Sequence, residues 1–101
     1  MIAATLLDRT AIARACEKYG VARLRVFGSA LTERFDPAHS DVDFLVDYKP
    51  EAERTFPALF ALRDELTQIV GRPVDLLDVR TVRNPYIAGD IFATAKDVYA
   101  A

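Results

Sequence analysis

Two aspartates, Asp41 and Asp43, begin a stretch that otherwise has the apolar composition of a β-strand. Side chains alternate between the two faces of a strand, so these carboxylates point the same way, roughly 6.5–7 Å apart. They repel each other, and their place at the start of a core strand costs free energy. A divalent cation relieves that cost, because Mg²⁺ binds carboxylate oxygens and completes its coordination with phosphates and water. The alternative is a solvated loop, in which such pairs are also common.

A Gly-Ser dipeptide, Gly28-Ser29, directly follows the preceding predicted strand. Glycine lets the backbone approach a ligand closely, and a serine hydroxyl with free N–H groups can hold a phosphate. The alternative is an ordinary tight turn. The dipeptide and the aspartate pair lie at the ends of two consecutive predicted strands. If those strands are neighbours, phosphate donors and metal ligands face one cavity.

A third carboxylate, Asp75, interrupts the apolar run Val74–Leu77, which has the composition of a buried strand. A carboxylate there is costly unless it is paired or bound to metal. If this strand lies beside the one that begins at Asp41, three carboxylates can surround one or two Mg²⁺ ions. That arrangement suits in-line phosphoryl or nucleotidyl transfer, in which the third carboxylate can activate the incoming hydroxyl. Asp78 is the alternative third ligand, but it is one residue off the face of Asp75.

The elements that position these residues follow from the spacing of apolar residues and from glycine and proline. The sequence predicts helices over Asp8–Tyr19, Phe56–Val70 and Asn84–Thr94. It predicts strands over Arg23–Phe27, Asp41–Tyr48, Val74–Val79 and Asp97–Ala100, with a short helix or turn and then a loop over Ser29–Ser40. This order indicates an α/β (α+β) fold, a sheet packed with helices, without the regular alternation of a parallel βαβ protein.

Length and composition exclude several classes of protein. A chain of 101 residues is expected to form one domain over residues 1–101, and its net charge of −2 gives no support for direct nucleic-acid binding. The sequence has neither an apolar run near the ~18 residues of a membrane span nor a secretory signal, so we expect a cytoplasmic protein. Cys16, the single cysteine, excludes an internal disulfide framework and is expected in the core.

The remaining candidates have simpler interpretations. His39 is expected to be an exposed loop residue, and Ser40 either caps the start of a strand or contacts a phosphate. Arg80 and Arg83 follow the third strand and either reach a phosphate or are surface charges. Five aromatic side chains are expected in the core, a partner surface being the alternative for any exposed subset: Phe56, Phe60, Tyr86, Phe92 and Tyr99.

The segments Val26–Ser29 and Asp41–Val46, separated by eleven residues, resemble the G-S-x(n)-D-x-D signature of the DNA polymerase β-like nucleotidyltransferase superfamily. The short chain and the segment Gly71–Leu77 are similar to its minimal nucleotidyltransferase (MNT) group. The resemblance covers about residues 20–80 and, more loosely, the whole chain. It implies a small mixed sheet flanked by helices, with the polymerase β-like nucleotidyltransferase core.

The resemblance also implies roles for individual residues. The catalytic and metal-binding carboxylates would be Asp41, Asp43 and Asp75. They would bind Mg²⁺, with two ions expected. Gly28 and Ser29 would hold the phosphates of the substrate, ATP. Many members of the family have a basic residue and then a glycine shortly after the Gly-Ser turn.

This chain departs from that pattern, because Leu31–Phe35 contains no such pair. Arg34 is expected to replace the family's basic residue from a shifted position and to bind phosphate. Ser40 is expected to bind phosphate with it, if it does not cap the start of the strand. No glycine follows Arg34, and the spacing to Asp41 is slightly long.

The function implied by the resemblance is that of an antitoxin. Small MNT proteins are commonly paired with HEPN-domain RNase toxins, and active members transfer AMP from ATP to a toxin tyrosine. A chain of this length has little room for an acceptor pocket, so the acceptor is expected to be a HEPN toxin or a homodimer mate. One alternative is a non-catalytic MNT-fold antitoxin that acts by binding. A second is a transferase for a small-molecule hydroxyl of the aminoglycoside type.

Overall fold

A computed structural model of the chain describes residues 2, 6–36, 38–82 and 84–101. Within those residues the helices are α1 (Arg9–Lys18), α2 (Phe56–Val70) and α3 (Pro85–Thr94). The strands are β1 (Val21–Phe27), β2 (Val42–Tyr48), β3 (Val74–Asp78) and β4 (Lys96–Ala100). Short 3-10 helices span Gly28–Leu31 and Val79–Thr81. Every predicted helix and strand is present, with ends displaced by no more than two residues.

The four strands form one mixed sheet in the order β3-β2-β1-β4. The central strand β1 is antiparallel to β2 on one side and to β4 on the other. The connection through α2 makes β3 parallel to β2. The mixed α+β fold implied by the family resemblance is confirmed.

Local sequence signals account for the helix ends. Asp8 caps α1 by accepting a hydrogen bond from the N–H of Ala11 at 3.1 Å, and Asn84 caps α3 in the same way. Thr55 caps α2, which ends at Gly71 in the left-handed conformation. These residues fix where each helix begins, and thereby how the strands that follow are aligned.

The hydrophobic core lies between one face of the sheet and helices α1 and α2. Alternate residues of β2 point into it: Val42, Phe44, Val46 and Tyr48 are all buried. They pack with Cys16 of α1 and with the α2 side chains Leu62, Leu66 and Val70. Burial raises the pKa of the Cys16 thiol to about 12, which is the state of a core residue rather than of a nucleophile.

The expectation that the five aromatic residues lie in the core is wrong for four of them. Tyr86 and Phe56 are 86% and 74% exposed, and Phe60 and Phe92 are also exposed. Tyr99 alone among the five packs partly against the core. None of the described side chains of α3 is buried, although this helix is mainly apolar. Among the described residues, no helix combines the length and the hydropathy needed to cross a membrane.

The two faces of α2 differ in exposure, and this difference predicts a difference in stability. Leu66→Ala removes a buried side chain from the core and should lower the free energy of unfolding by about 2–5 kcal/mol. Phe60→Ala on the exposed face of the same helix should lower it by less than about 1 kcal/mol. Urea unfolding followed by circular dichroism measures both. Equal losses would contradict the assignment of the core.

Candidate active site

The sheet brings the predicted carboxylates and the Gly-Ser turn to one end of the fold. In the parallel register of β2 and β3, Asp43 is the direct partner of Asp75. On the other side of β2, Asp43 is paired with Phe27, the residue before Gly28. Side chains paired across neighbouring strands share a face and lie close together. Both carboxylates point away from the core side of β2, since Val42 and Phe44 occupy that side.

Asp43 is the most buried of the three carboxylates, whereas Asp41 and Asp75 are exposed. Burial raises the pKa of Asp43 to about 6, and the negative charges of Asp75 and Asp41 add to the effect. A hydrogen bond between the Asp43 and Asp75 carboxyl groups raises it further, because the bond needs a proton. A half-buried carboxyl with a raised pKa, beside like charges, is typical of a cation-binding or proton-transfer site.

Gly28 is required by two separate features of the backbone. Its φ is +73°, a left-handed conformation that side chains other than glycine rarely adopt. A Cβ at this position would also lie 2.5 Å from Oδ2 of Asp43. Glycine therefore allows the turn after β1 to touch the carboxylate site directly. The turn continues as the 3-10 helix, in which the carbonyl of Ser29 accepts hydrogen bonds from the N–H and Oγ1 of Thr32, both at 3.0 Å.

The Gly-Ser turn also lines an open cleft of about 600 Å³. Its lining contains three of the predicted phosphate-binding residues, which are Gly28, Ser29 and Arg34. It also contains residues that the sequence analysis did not single out, among them Lys96 at the start of β4. Lys96 is adjacent because it pairs with Val26 across β1 and β4. The sequence predicted the strand but not its partner, so it gave no reason to place Lys96 here.

The suitability of the carboxylates for Mg²⁺ depends on their chemistry and on their present positions. Three carboxylates supply the hard oxygen ligands that Mg²⁺ prefers. As the side chains stand, no cluster of three or more Asp, Glu, His or Cys residues in the described part of the chain is arranged to hold a metal ion. Asp43 and Asp75 already meet at the hydrogen bond between them. The donor set therefore fits a hard cation once Asp43 loses its proton and the exposed carboxylates turn toward it.

Asp78, the alternative third carboxylate, has a structural role. Its Oδ2 accepts a hydrogen bond from Nη2 of Arg54 at 2.7 Å, in a salt bridge that is largely shielded from solvent. Its Oδ1 accepts from the N–H of Arg80 at 2.9 Å and caps the second 3-10 helix. Both oxygens are thus engaged away from Asp43, whereas Asp75 lies beside Asp43.

The structure places the other predicted contacts outside the cleft. Oγ of Ser40 accepts a hydrogen bond from the N–H of Asp36 at 2.8 Å, so this serine fastens the loop before β2. His39 is exposed, with Nδ1 2.7 Å from Oδ2 of Asp36. Arg80 is exposed at the end of β3, and Arg83 lies outside the described residues.

The raised pKa of Asp43 predicts how stability depends on pH without added metal. The folded protein binds this proton more tightly than the unfolded chain does, so the free energy of unfolding falls as pH rises between the ordinary value of 3.8 and about 6. Wild type should lose about 1–2 kcal/mol over this window relative to Asp43→Asn. Urea unfolding at several pH values measures it. Asp47→Asn, on the same face of β2, is the control. If it differed from wild type as much as Asp43→Asn does, the assignment of the raised pKa to Asp43 would be refuted.

The close approach at Gly28 predicts an effect that a positive φ alone does not produce. Gly71→Ala introduces only the strain of a left-handed alanine, about 1–2 kcal/mol, because no atom of the described chain lies within 4 Å of its Cβ. Gly28→Ala adds a clash with Asp43 and should cost about 2–4 kcal/mol in total. Thermal unfolding of the two variants checks this. An equal loss of stability would mean that the turn does not press on the carboxylate.

Comparison with known sequences places the chain in a family. Residues 9–98 match the family model of the nucleotidyltransferase domain. Two proteins of Methanocaldococcus jannaschii, both provisionally named protein adenylyltransferases, are similar to it. They are 33% identical over 75 residues and 36% identical over 76 residues. Each alignment covers 74% of this chain and 74% of the relative.

Solved structures share the fold. A structure provisionally described as a minimal nucleotidyltransferase has a TM-score of 0.70 at 28% identity, covering 87% of this chain and 86% of its own. A toxin–antitoxin crystal structure with AMP-PNP has a TM-score of 0.70 at 18% identity, covering 93% and 74%. A complex of a tri-AMPylated Shewanella oneidensis HEPN toxin with an MNT antitoxin has 0.66 at 17%, covering 96% and 73%. The sequence matches show that the chain belongs to the nucleotidyltransferase domain family, and its fold matches that of a minimal nucleotidyltransferase structure.

Proposed function

We propose that this protein is an Mg²⁺-dependent antitoxin that transfers AMP from ATP to a hydroxyl of a partner protein, a tyrosine of a HEPN RNase toxin. The observation that carries the proposal is the pairing of Asp43 with Asp75 beside the Gly28-Ser29 turn. Gly28 thereby adjoins both the carboxylates that would bind a cation and the turn that would donate hydrogen bonds to phosphate. The similarity to proteins provisionally named protein adenylyltransferases, and to toxin–antitoxin structures with AMP-PNP and with an AMPylated HEPN toxin, supports the choice of reaction and partner.

Each residue of the site has a role in this reaction. The carboxylates Asp41, Asp43 and Asp75 would hold Mg²⁺, which when bound neutralises charge on the phosphate oxygens. The Gly28-Ser29 turn and Arg34 bind and orient the phosphates. The reaction becomes effectively unimolecular when the acceptor hydroxyl of the bound partner is held beside these phosphates.

The chemical step exchanges one bond to phosphorus for another. The acceptor oxygen forms a bond to the α-phosphorus while the bond from that phosphorus to the bridging oxygen of the β-phosphate breaks. Pyrophosphate leaves with the electron pair. The proton of the acceptor hydroxyl passes to a carboxylate, for which the exposed Asp75 is placed. Asp43, with its raised pKa, must be ionised for the site to work as a cation site.

A protein acceptor agrees with the surface of the molecule. Four aromatic side chains on α2 and α3 are exposed, and a partner protein would cover such apolar surface. The cleft beside the Gly-Ser turn is open, so a long acceptor can approach it from solution. Both features favour a macromolecular acceptor over a small hydroxyl compound that needs an enclosed pocket.

A second candidate function is an antitoxin that binds its toxin without transferring AMP. Two observations favour it. The segment Leu31–Phe35 lacks the basic residue and glycine that many family members have. In addition, the three carboxylates are not gathered as a metal site in the part of the chain described here. In this alternative the site is inactive and the contact with the toxin is sufficient.

Label transfer distinguishes the two functions. Purified protein is incubated with Mg²⁺ and α-phosphate-labelled ATP in a lysate of its source cells, and the labelled protein is identified by mass spectrometry. We expect one labelled partner, modified on tyrosine. Asp43→Asn should reduce the label by about two orders of magnitude or more, since it removes the central carboxylate. Asp47→Asn, on the same strand and face, should leave it unchanged.

Two outcomes would contradict the transferase. Absence of label in wild type, with a HEPN partner still retained on the protein, would establish the binding-only antitoxin. Equal labelling by wild type and Asp43→Asn would show that another activity in the lysate produced the label. Addition of EDTA should abolish the transfer but leave the complex with the partner intact.

A further inference from the structure

Two cations line the cleft beside the Gly-Ser turn, and they come from distant parts of the sequence. Arg34 belongs to the loop after the first 3-10 helix, and Lys96 is the first residue of β4. Within the described residues, neither side chain makes a hydrogen bond or a salt bridge. Other cations of the chain are neutralised, for example Arg23 by Asp97 and Lys18 by Glu65, both at 2.6 Å. The residues described along the cleft include these two cations and no carboxylate.

The cationic cleft and the carboxylate cluster meet at one residue. Gly28 lines the cleft, and the side on which a Cβ would stand faces Oδ2 of Asp43. A ligand at this junction therefore encounters positive charge on one side and carboxylates on the other. A chain of phosphates matches both sides, because phosphate oxygens accept hydrogen bonds from cations and also share a divalent ion with carboxylates. An unpaired surface lysine is common, but this one shares its cleft with the phosphate-binding turn.

We propose that Lys96 and Arg34 form the subsite for the two terminal phosphates of a nucleoside triphosphate, and that Lys96 makes the cleft prefer a triphosphate to a monophosphate. This inference rests on the proposed nucleotidyl transfer. When the bond between the α-phosphorus and the bridging oxygen breaks, negative charge grows on the departing pyrophosphate. Two cations held beside it stabilise that charge more than the charge of the bound substrate. Lys96 thus acts on the leaving group, at a distance from the acceptor hydroxyl.

The position of Lys96 makes it suitable for substitution. It is exposed, and β4 lies at the edge of the sheet, so Lys96→Gln should leave the fold intact. Lys49 lies just beyond the end of β2 opposite to Asp43, and it does not line the cleft. Lys49→Gln therefore removes the same charge from the protein as a whole and serves as the matched control. Lys96→Arg keeps the charge and should keep the binding.

The test is calorimetric binding of inorganic tripolyphosphate and of inorganic phosphate to the full chain without divalent metal. Wild type should bind tripolyphosphate more tightly than phosphate. Lys96→Gln should weaken tripolyphosphate binding about five- to tenfold, the loss of one charged contact at an accessible site, and Arg34→Gln should act similarly. Lys49→Gln should change it by less than about twofold. Binding of AMP should not depend on Lys96.

Several results would overturn the inference. Equal affinity of wild type and Lys96→Gln for tripolyphosphate would remove Lys96 from the site. No binding of tripolyphosphate by wild type would remove the subsite altogether, and so would an equal loss in Lys49→Gln. The proposed function can fail separately from this inference. If no label is transferred but tripolyphosphate binding still depends on Lys96, the protein has the phosphate site without the transferase activity. In an active protein, Lys96→Gln should lower kcat as well as raise the KM for ATP several-fold, because the lost cation stabilises the departing charge more than the bound substrate.

Discussion

The parallel pairing of β2 with β3 is the constraint on which the site depends. It sets two carboxylates side by side, although their mutual repulsion opposes that arrangement. The opposite faces of the same strands hold the register, because Val42 and Phe44 face Val74 and Leu76 on the core side. A slip of one residue would turn the apolar side chains outward and the aspartates into the core. Hydrophobic burial thus imposes an electrostatic cost, which is reflected in the raised pKa of Asp43.

Gly28 is the second essential element, because two different electrostatic environments meet at it. A Cβ on this residue would face the carboxyl group of Asp43, and the residue also lines an open cleft that contains Arg34 and Lys96. A side chain at this position would be strained by the left-handed backbone and would displace the Asp43 carboxyl group. Such a contrast over a short distance suits a ligand whose phosphates need cations at one end and metal-bound carboxylates at the other.

The sequence predicted most of the fold, since helix caps and apolar periodicity are local signals. Asp8 and Asn84 cap the two helices that the sequence predicts to begin at these residues, and α2 has the predicted bounds. These confirmed predictions concern residues that are close in sequence. The preference for Asp75 over Asp78 as the third carboxylate follows from strand alternation and stays a prediction, while Asp78 is engaged by Arg54.

The failures concern relationships between distant elements. Helical spacing shows which residues share a face but not whether another element covers that face, so Phe56 and Tyr86 were placed in the core when they are exposed. The pairing of β4 with β1 brings Lys96 to the cleft, and no local pattern in the sequence indicates that partner. The phosphate contact of Ser40 stays a prediction; the structure adds that Oγ of Ser40 accepts a hydrogen bond from the N–H of Asp36 in a loop whose shape the sequence does not reveal.

Burial of Cys16 between α1 and the sheet has a consequence for how the protein can be studied. The thiol is shielded and its pKa is about 12, so oxidants and alkylating reagents, which attack the thiolate, cannot reach it in the closed fold. It is also the single cysteine of the chain. Alkylation of this thiol therefore requires helix α1 to detach from the sheet. The rate of alkylation therefore measures how often that opening occurs, and no probe residue has to be engineered into the protein.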